Sequence, residues 1–269
     1  MLTPRRLPRA GGLWVEDAER LWFDSDGERV AVLRVGEGPR VLLVHGWEGA
    51  AADFAAVLPA LLGAGFAVSL LDLPAHGQSS GTRVSLPAAA RALREYGRRF
   101  GALHAVVAHS LGAAALGEAL SLGFDAGRVA LLAPPRRYLD GVDAAVRACG
   151  YDESERAALL AELLKHGVDA HALDLPRTAA MLEVPALIVH SDDDAITPYR
   201  AGHSVAAAWR GSRFVGVSGL GHRRLLRDAA VIDAIVRFVS AGCEARDDAA
   251  TLHSSGSSGS TYFAGGLPS

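Results

Sequence analysis

The stretch AVVAHSLGAAALGEAL, residues 105–120, decides how the chain is read. A short apolar run ends at His109 and Ser110, and Gly112 then opens a second run of small residues. The first run fits a buried strand and the alanine-rich second run fits a helix. Ser110 stands at the junction. Small residues at 108 and 112 let a sharp strand-to-helix turn close without side-chain clashes, so the serine would project above a sheet as in a nucleophile elbow. The Gly-x-Ser-x-Gly form of that turn is nearly present, with Ala108 replacing its first glycine by one added methyl group. A serine in this place can equally be an ordinary helix N-cap. Local sequence leaves both readings open.

The surrounding chain alternates short β-branched runs with longer helical patterns. Residues 20–36, RLWFDSDGERVAVLRVG, predict two strands around a Ser25-Asp26-Gly27 turn. Further strands are expected at 41–45, 66–72, 104–109, 128–133, 185–190 and 213–217. The later ones are apolar throughout, as strands are when helices cover both faces of a parallel sheet. Leu86, Ala90, Leu93, Gly97 and Phe100 recur at helical steps, and so do Leu225, Ala229, Ile232, Val236 and Val239 in the last helix. The expected fold is α/β: an eight-stranded, mostly parallel sheet with helices on both faces.

Between the strands at 128 and 185 the chain is too long for one simple crossover. Residues 152–166, DESERAALLAELLKH, carry acidic residues at the start of a helix pattern and Gly167 just past its end. Residues 136–184 are therefore expected to form a small helical cap, with the core built from 1–135 and 185–242. The tail 243–269, rich in Gly and Ser, is expected to be disordered.

Bulk composition narrows the function classes. The 269 residues suffice for one large core, and 50% hydrophobic with 21% charged residues is ordinary for a soluble globular protein. A formal net charge of −3 gives no basic face for nucleic acid. Lys165 is the sole lysine, which we read as a coding bias. Cys149 and Cys243 lie too far apart for a disulfide framework or a cysteine-based zinc site. MLTPRRLPRAGG has no apolar stretch after its arginines, and the most membrane-like window, 102–124, is broken by His104, His109, Ser110 and Glu118. A cytoplasmic protein without membrane or nucleic-acid partners is expected. The oligomeric state is left open.

A serine hydroxyl needs a base to become a nucleophile, and the base needs an orienting carboxylate. After PALIVH comes SDDDAITP, placing Asp192, Asp193 and Asp194 at a strand end. After the final strand comes SGLGHRRLL, with His222 in a Gly-rich loop. Ser, Asp and His thus follow three strand ends in the order used by α/β-hydrolases.

Four separated motifs carry the resemblance: VLLVHGW (41–47), LDLPAHGQSSG (71–81), VVAHSLGAAA (106–115), and LIVHSDDDAITP (187–198) paired with GLGHRRLL (219–226). Over roughly residues 14–242 the sequence resembles an α/β-hydrolase fold serine hydrolase, esterase-like with a small helical cap. The resemblance makes Ser110 the nucleophile, His222 the general base and acid, and Asp194 the triad acid. Asp192 is the alternative acid, and Asp193 is expected to face away. Two backbone N–H donors must meet the oxyanion. One would come from Leu111, and the resemblance assigns the other to Trp47, with His45, Gly46 and Gly112 as supporting motif residues. His45 and His109 are read as hydrogen-bonded within the core, and His190 as a satisfied core histidine. The resemblance makes the loop carrying His76 a structural buttress of the nucleophile turn; Glu48 is read as solvent-facing, and Arg224 with Asp228 as a helix pair.

The implied activity is hydrolysis of a small or medium carboxylic ester through an acyl-enzyme. Its partners are a small-molecule acyl substrate and water, with no cofactor and no metal. A thioesterase, peptidase, lyase or acyltransferase using the same triad stays open, as does a catalytically silent binding protein on this fold.

Overall fold

The computed structural model describes residues 3–4 and 17–241, so the tail expected from 243 lies outside the described residues. β1 (Glu19–Ser25) and β2 (Glu28–Val35) form an antiparallel hairpin. It turns at Asp26 and Gly27, both left-handed at φ 52° and 78°, which is the backbone a tight hairpin with the sheet's natural twist requires.

β2 pairs antiparallel with β4 (Ala67–Asp72), and every later pairing is parallel. β3 (Arg40–Val44), β5 (Ala105–His109), β6 (Val129–Leu132), β7 (Ala186–Ser191) and β8 (Arg213–Val217) complete one sheet of order β1-β2-β4-β3-β5-β6-β7-β8. β3 is followed by a crossover to one side and β5 lies on the other. Their C-terminal ends therefore flank the crevice where chain order reverses, the usual ligand position in open α/β sheets.

The continuous apolarity of the central strands has a direct cause. Leu42, Val44, Val106, Ala108, Val129 and Leu131 face a layer containing α2 (Leu86–Phe100), α3 (Leu111–Ser121) and α7 (Tyr199–Ala208). The alternate residues Val41, Leu43, Ala105, Val107, Ala130 and Leu132 face α1 (Val57–Gly63) and α8 (Ala229–Ser240). Neither face reaches water, so no polar alternation survives. β8 differs because it is an edge strand and stays half-exposed.

Three helices intervene between β6 and β7. α4 (Tyr138–Cys149) and α5 (Glu153–Lys165) share their own small cluster of Val142, Val146, Leu163, Val168 and Ala170. Asp152 and Glu155 form a reciprocal capping box at the start of α5, with Glu155 N–H donating to Asp152 Oδ1 at 2.9 Å and Asp152 N–H to Glu155 Oε2 at 2.8 Å. The entering and leaving segments pair: Tyr138 N–H donates to the Leu173 carbonyl at 3.0 Å and Leu175 N–H to that of Arg136 at 2.9 Å. α6 (Leu175–Ala179) belongs to the main core instead, where Leu175 packs against Gly117 of α3 at a spot a larger residue would fill. The separate cluster is confined to α4, α5 and their flanks.

The last helix corrects one expectation. Leu225 lies in a distinct 3-10 turn, Arg224–Leu226, and α8 begins only after Asp228. Asp228 accepts from Val231 N–H at 3.0 Å as the N-cap and does not pair with Arg224. Among the described residues, no helix is long and apolar enough to cross a membrane.

Candidate active site

Ser110 follows β5 and precedes α3 with φ 51° and ψ −116°, a backbone that L-residues adopt only under constraint. Its side chain makes no capping bond to the helix, so the ordinary N-cap role does not apply. Ser110 N–H donates to the Leu132 carbonyl on β6 at 2.9 Å, fixing the turn to the neighbouring strand. Two glycines make the turn possible. A Cβ on Gly112 would meet the His45 and Val44 carbonyl oxygens at 2.5 and 2.7 Å. A Cβ on Gly46 would meet Ser110 Cβ at 2.9 Å. Ala108 is fully buried, its methyl packed in the main core cluster.

The three expected side chains meet. His222 Nε2 lies 2.9 Å from Ser110 Oγ, and His222 Nδ1 lies 2.7 Å from Asp194 Oδ2. A carboxylate only accepts, so Nδ1 carries the proton and Nε2 is free to accept the serine hydrogen. The Asp194 side chain is fully buried and that of His222 nearly so. Asp194 Oδ1 accepts the N–H groups of Ile196 and Thr197, each at 2.8 Å. Burial opposes its ionisation, yet hydrogen bonds from His190, His222 and Thr197 outweigh that and hold its carboxyl well below the usual carboxylate range.

The alternative acid is occupied elsewhere: Asp192 Oδ2 accepts from Ser218 Oγ at 2.7 Å. Asp193 does not simply face away. Its Oδ1 accepts from Gly221 N–H at 2.7 Å and from Ser191 Oγ, while Ser191 Oγ accepts from Leu220 N–H at 3.1 Å. The loop carrying His222 is thereby tied to the end of β7 on both sides of its glycine. Arg224 reaches back to the Gly219 and Leu220 carbonyls, at 2.6 and 3.0 Å, closing the same loop.

The histidines around this centre have separate structural tasks. His109 Nε2 donates to the His222 carbonyl at 2.8 Å with the two rings 4.8 Å apart. Burial, reinforced by nearby His222, pushes His109 down to about 4, so it is neutral at ordinary pH. His45 Nε2 accepts Leu73 N–H at 2.9 Å. His76 Nε2 accepts Glu48 N–H at 3.2 Å, so it buttresses the Trp47–Glu48 loop. That loop is strained as well, with Glu48 at φ 54°. Glu48 is half-buried, with its backbone engaged. Among the described residues, no hydrogen bond joins the N–H of Trp47 or of Leu111 to a protein acceptor. His190 is the histidine whose environment the sequence did not reveal: its Nε2 lies 3.3 Å from Asp194 Oδ2 and 2.8 Å from the Thr197 carbonyl. A polar residue ending an apolar strand was the available signal, and it recurs around the C-terminal ends of β3, β5 and β7 as His45, His109 and His190. Among the described residues, no three His, Cys, Asp or Glu side chains are grouped to hold a metal.

The fold is that of an α/β-hydrolase, with half-buried Ser110 and His222 and buried Asp194 brought together at the strand ends. A sequence profile described as the Alpha/beta hydrolase family matches residues 41–234, and the chain belongs to that family. No curated protein matches the sequence. Similar solved structures include an esterase from Exiguobacterium antarcticum, with 19% identity and a TM-score of 0.66, over 82% of this chain and 99% of that one. A hydrolase from Pseudomonas aeruginosa PA01 is 22% identical with a TM-score of 0.66, over 84% and 99% of the respective chains. A thioesterase domain from the curacin biosynthetic pathway is 17% identical with a TM-score of 0.63, over 83% and 99%. At such identities the likeness is one of fold.

Proposed function

We propose that the protein is a serine hydrolase acting on a small or medium carboxylic ester. The observation that carries this reading is the unbroken line from Asp194 Oδ2 through His222 to Ser110 Oγ, with both contacts under 3 Å. His222 Nε2 takes the serine proton as Oγ attacks the acyl carbon. Asp194 holds the imidazole in the required tautomer and stabilises the imidazolium. The N–H groups of Leu111 and Trp47 receive the negative charge on the carbonyl oxygen. His222 then protonates the leaving alcohol, and water repeats the sequence in reverse to release the acid and free Ser110. This chemistry calls for no metal or organic cofactor. The insertion carrying α4 and α5 would roof the site.

The same machinery would serve a thioester. One structural neighbour is a thioesterase domain, and nothing in the triad separates an oxygen from a sulfur leaving group. Matched ester and thioester panels varying acyl length and charge distinguish the two. The mechanism itself is tested with a fluorophosphonate probe: Ser110 is labelled, and Ser110→Ala abolishes both labelling and turnover of p-nitrophenyl esters. Labelling that persists in Ser110→Ala overturns the assignment. A wild-type protein inert to probe and esters would favour a binding protein on this fold.

A further inference from the structure

His190 is fully buried at the end of β7, and its Nε2 faces two acceptors, the Thr197 carbonyl at 2.8 Å and Asp194 Oδ2 at 3.3 Å. With acceptors on that side, the ring proton sits on Nε2. The other nitrogen, Nδ1, is buried with no hydrogen-bond partner. Gly202 of α7 closes over it, and a Cβ there would fall on Nδ1 itself. The ring is therefore held edge-on with one usable N–H, and that N–H points into the turn carrying the acid. A core histidine kept only for packing would not need its single donor spent there, nor a glycine cleared behind it.

We propose that His190 is a positioning residue for the hydrolytic reaction, clamping the Asp194 carboxylate and the 194–197 turn so that Oδ2 stays aimed at His222. This rests on the reading of Asp194 as the triad acid. Asp194 Oδ1 is fixed by the Ile196 and Thr197 amides, and those amides are themselves held because His190 bonds the Thr197 carbonyl. Oδ2 accepts from His222 Nδ1 at 2.7 Å and has the His190 ring, whose N–H is held on the Thr197 carbonyl, 3.3 Å away on its other side. His222 rides on a Gly-rich loop and must exchange its Nε2 proton between serine and leaving group. His190 is anchored in the sheet and does neither. Without it, Oδ2 is oriented only by the ring it is supposed to orient. Acting through Asp194, His190 touches no reacting atom, so its loss should be felt in turnover and not in substrate binding.

The test compares three variants of the full-length protein by kcat per active site, with sites counted by fluorophosphonate labelling. His190→Leu removes the donor, His190→Gln keeps an amide N–H near the Nε2 position, and His190→Asn carries a donor too short to reach it. His190→Leu and His190→Asn should lose about ten- to a hundredfold in kcat with KM changed less than about twofold, while His190→Gln stays within about threefold of wild type. If the leucine variant fails to fold, the Gln–Asn contrast carries the test. Equal kcat per site in His190→Leu and wild type overturns the proposal, and so does an equal loss in the Gln and Asn variants. Ser110→Ala is the control on the underlying reading. If it remains active, the triad reading itself fails; if it is dead while His190→Leu is unimpaired, only the role of His190 fails.

Discussion

Asp194→Asn is the substitution whose consequence can be worked furthest from the geometry. Asp194 presents one oxygen to two amide N–H groups, each at 2.8 Å, and the other to His222 Nδ1 at 2.7 Å. An asparagine must keep its single oxygen where Ile196 and Thr197 donate, because both N–H groups, that of Thr197 buried, would otherwise lose their acceptor. Its NH2 then takes the Oδ2 position and points at His222. The imidazole can satisfy it only by turning Nδ1 into an acceptor, which moves the ring proton to Nε2. In that tautomer Nε2 cannot take the proton of Ser110, although every heavy atom keeps its place. Loss of the correct tautomer in a Ser-His-Asp system costs about 10⁴-fold in kcat. That corresponds to about 5 kcal/mol of transition-state stabilisation. The assay is steady-state hydrolysis of p-nitrophenyl esters, alongside the rate of fluorophosphonate labelling, with circular dichroism to verify the fold. Activity of Asp194→Asn within tenfold of wild type would refute the reasoning. So would a larger loss in Asp192→Asn, whose carboxylate is engaged with Ser218.

Two further outcomes follow from the packing. His109 has its folded-state value lowered from 6.5 to about 4, so protonation favours the unfolded chain. The stability it contributes is complete above about pH 6.5 and is lost as pH falls through about 4, amounting to about 3 kcal/mol. Urea midpoints measured between pH 7.5 and 4 should fall less steeply in His109→Gln than in wild type, and parallel curves would contradict this. Gly112→Ala would drive a methyl onto the His45 and Val44 carbonyls, so it should destabilise by about 1–3 kcal/mol in a urea titration and lower kcat by displacing Ser110. A variant as stable and active as wild type would show that α3 can shift away freely.

Much of the fold was legible because its signals are local. Runs such as Val41–Val44 and Ala105–Ala108 are apolar on both faces, and only a doubly covered parallel sheet explains that. The Asp26-Gly27 turn and the Asp152–Glu155 capping box likewise follow from a few adjacent residues. The candidate triad was legible because strand ends converge at one edge of the sheet, so three distant motifs needed no further information to meet. What could not be read were contacts set by rotamer and loop path. Nothing within GHRRLLRD tells Asp228 to cap α8 instead of pairing with Arg224, since both use the same oxygen atoms at similar cost. The contact made by His76 was unreadable for the same reason: only the path of Glu48, strained to φ 54°, brings an N–H to its Nε2.

The run Asp192-Asp193-Asp194 shows why adjacent identical residues defeat sequence reading and yet divide their work cleanly. Three carboxylates in a row at a strand end repel one another, so such a run persists only if each finds its own donors. Asp192 takes the Ser218 hydroxyl, beyond the end of β8. Asp193 takes the Gly221 amide and the Ser191 hydroxyl. Asp194 turns inward, away from solvent, to the two rings and two amides. The first two pull the histidine loop against β7 from its far side, and the third meets the histidine from within. The loop contains three polar anchor points within five residues, Ser218, Gly221 and His222, and each is matched to a different aspartate. Removing Asp193 would therefore loosen His222 without touching the triad contacts themselves. The precision of the 2.7 Å Asp194–His222 contact is a property of the whole paired segment, in which only the last of the three acids carries the proposed chemistry.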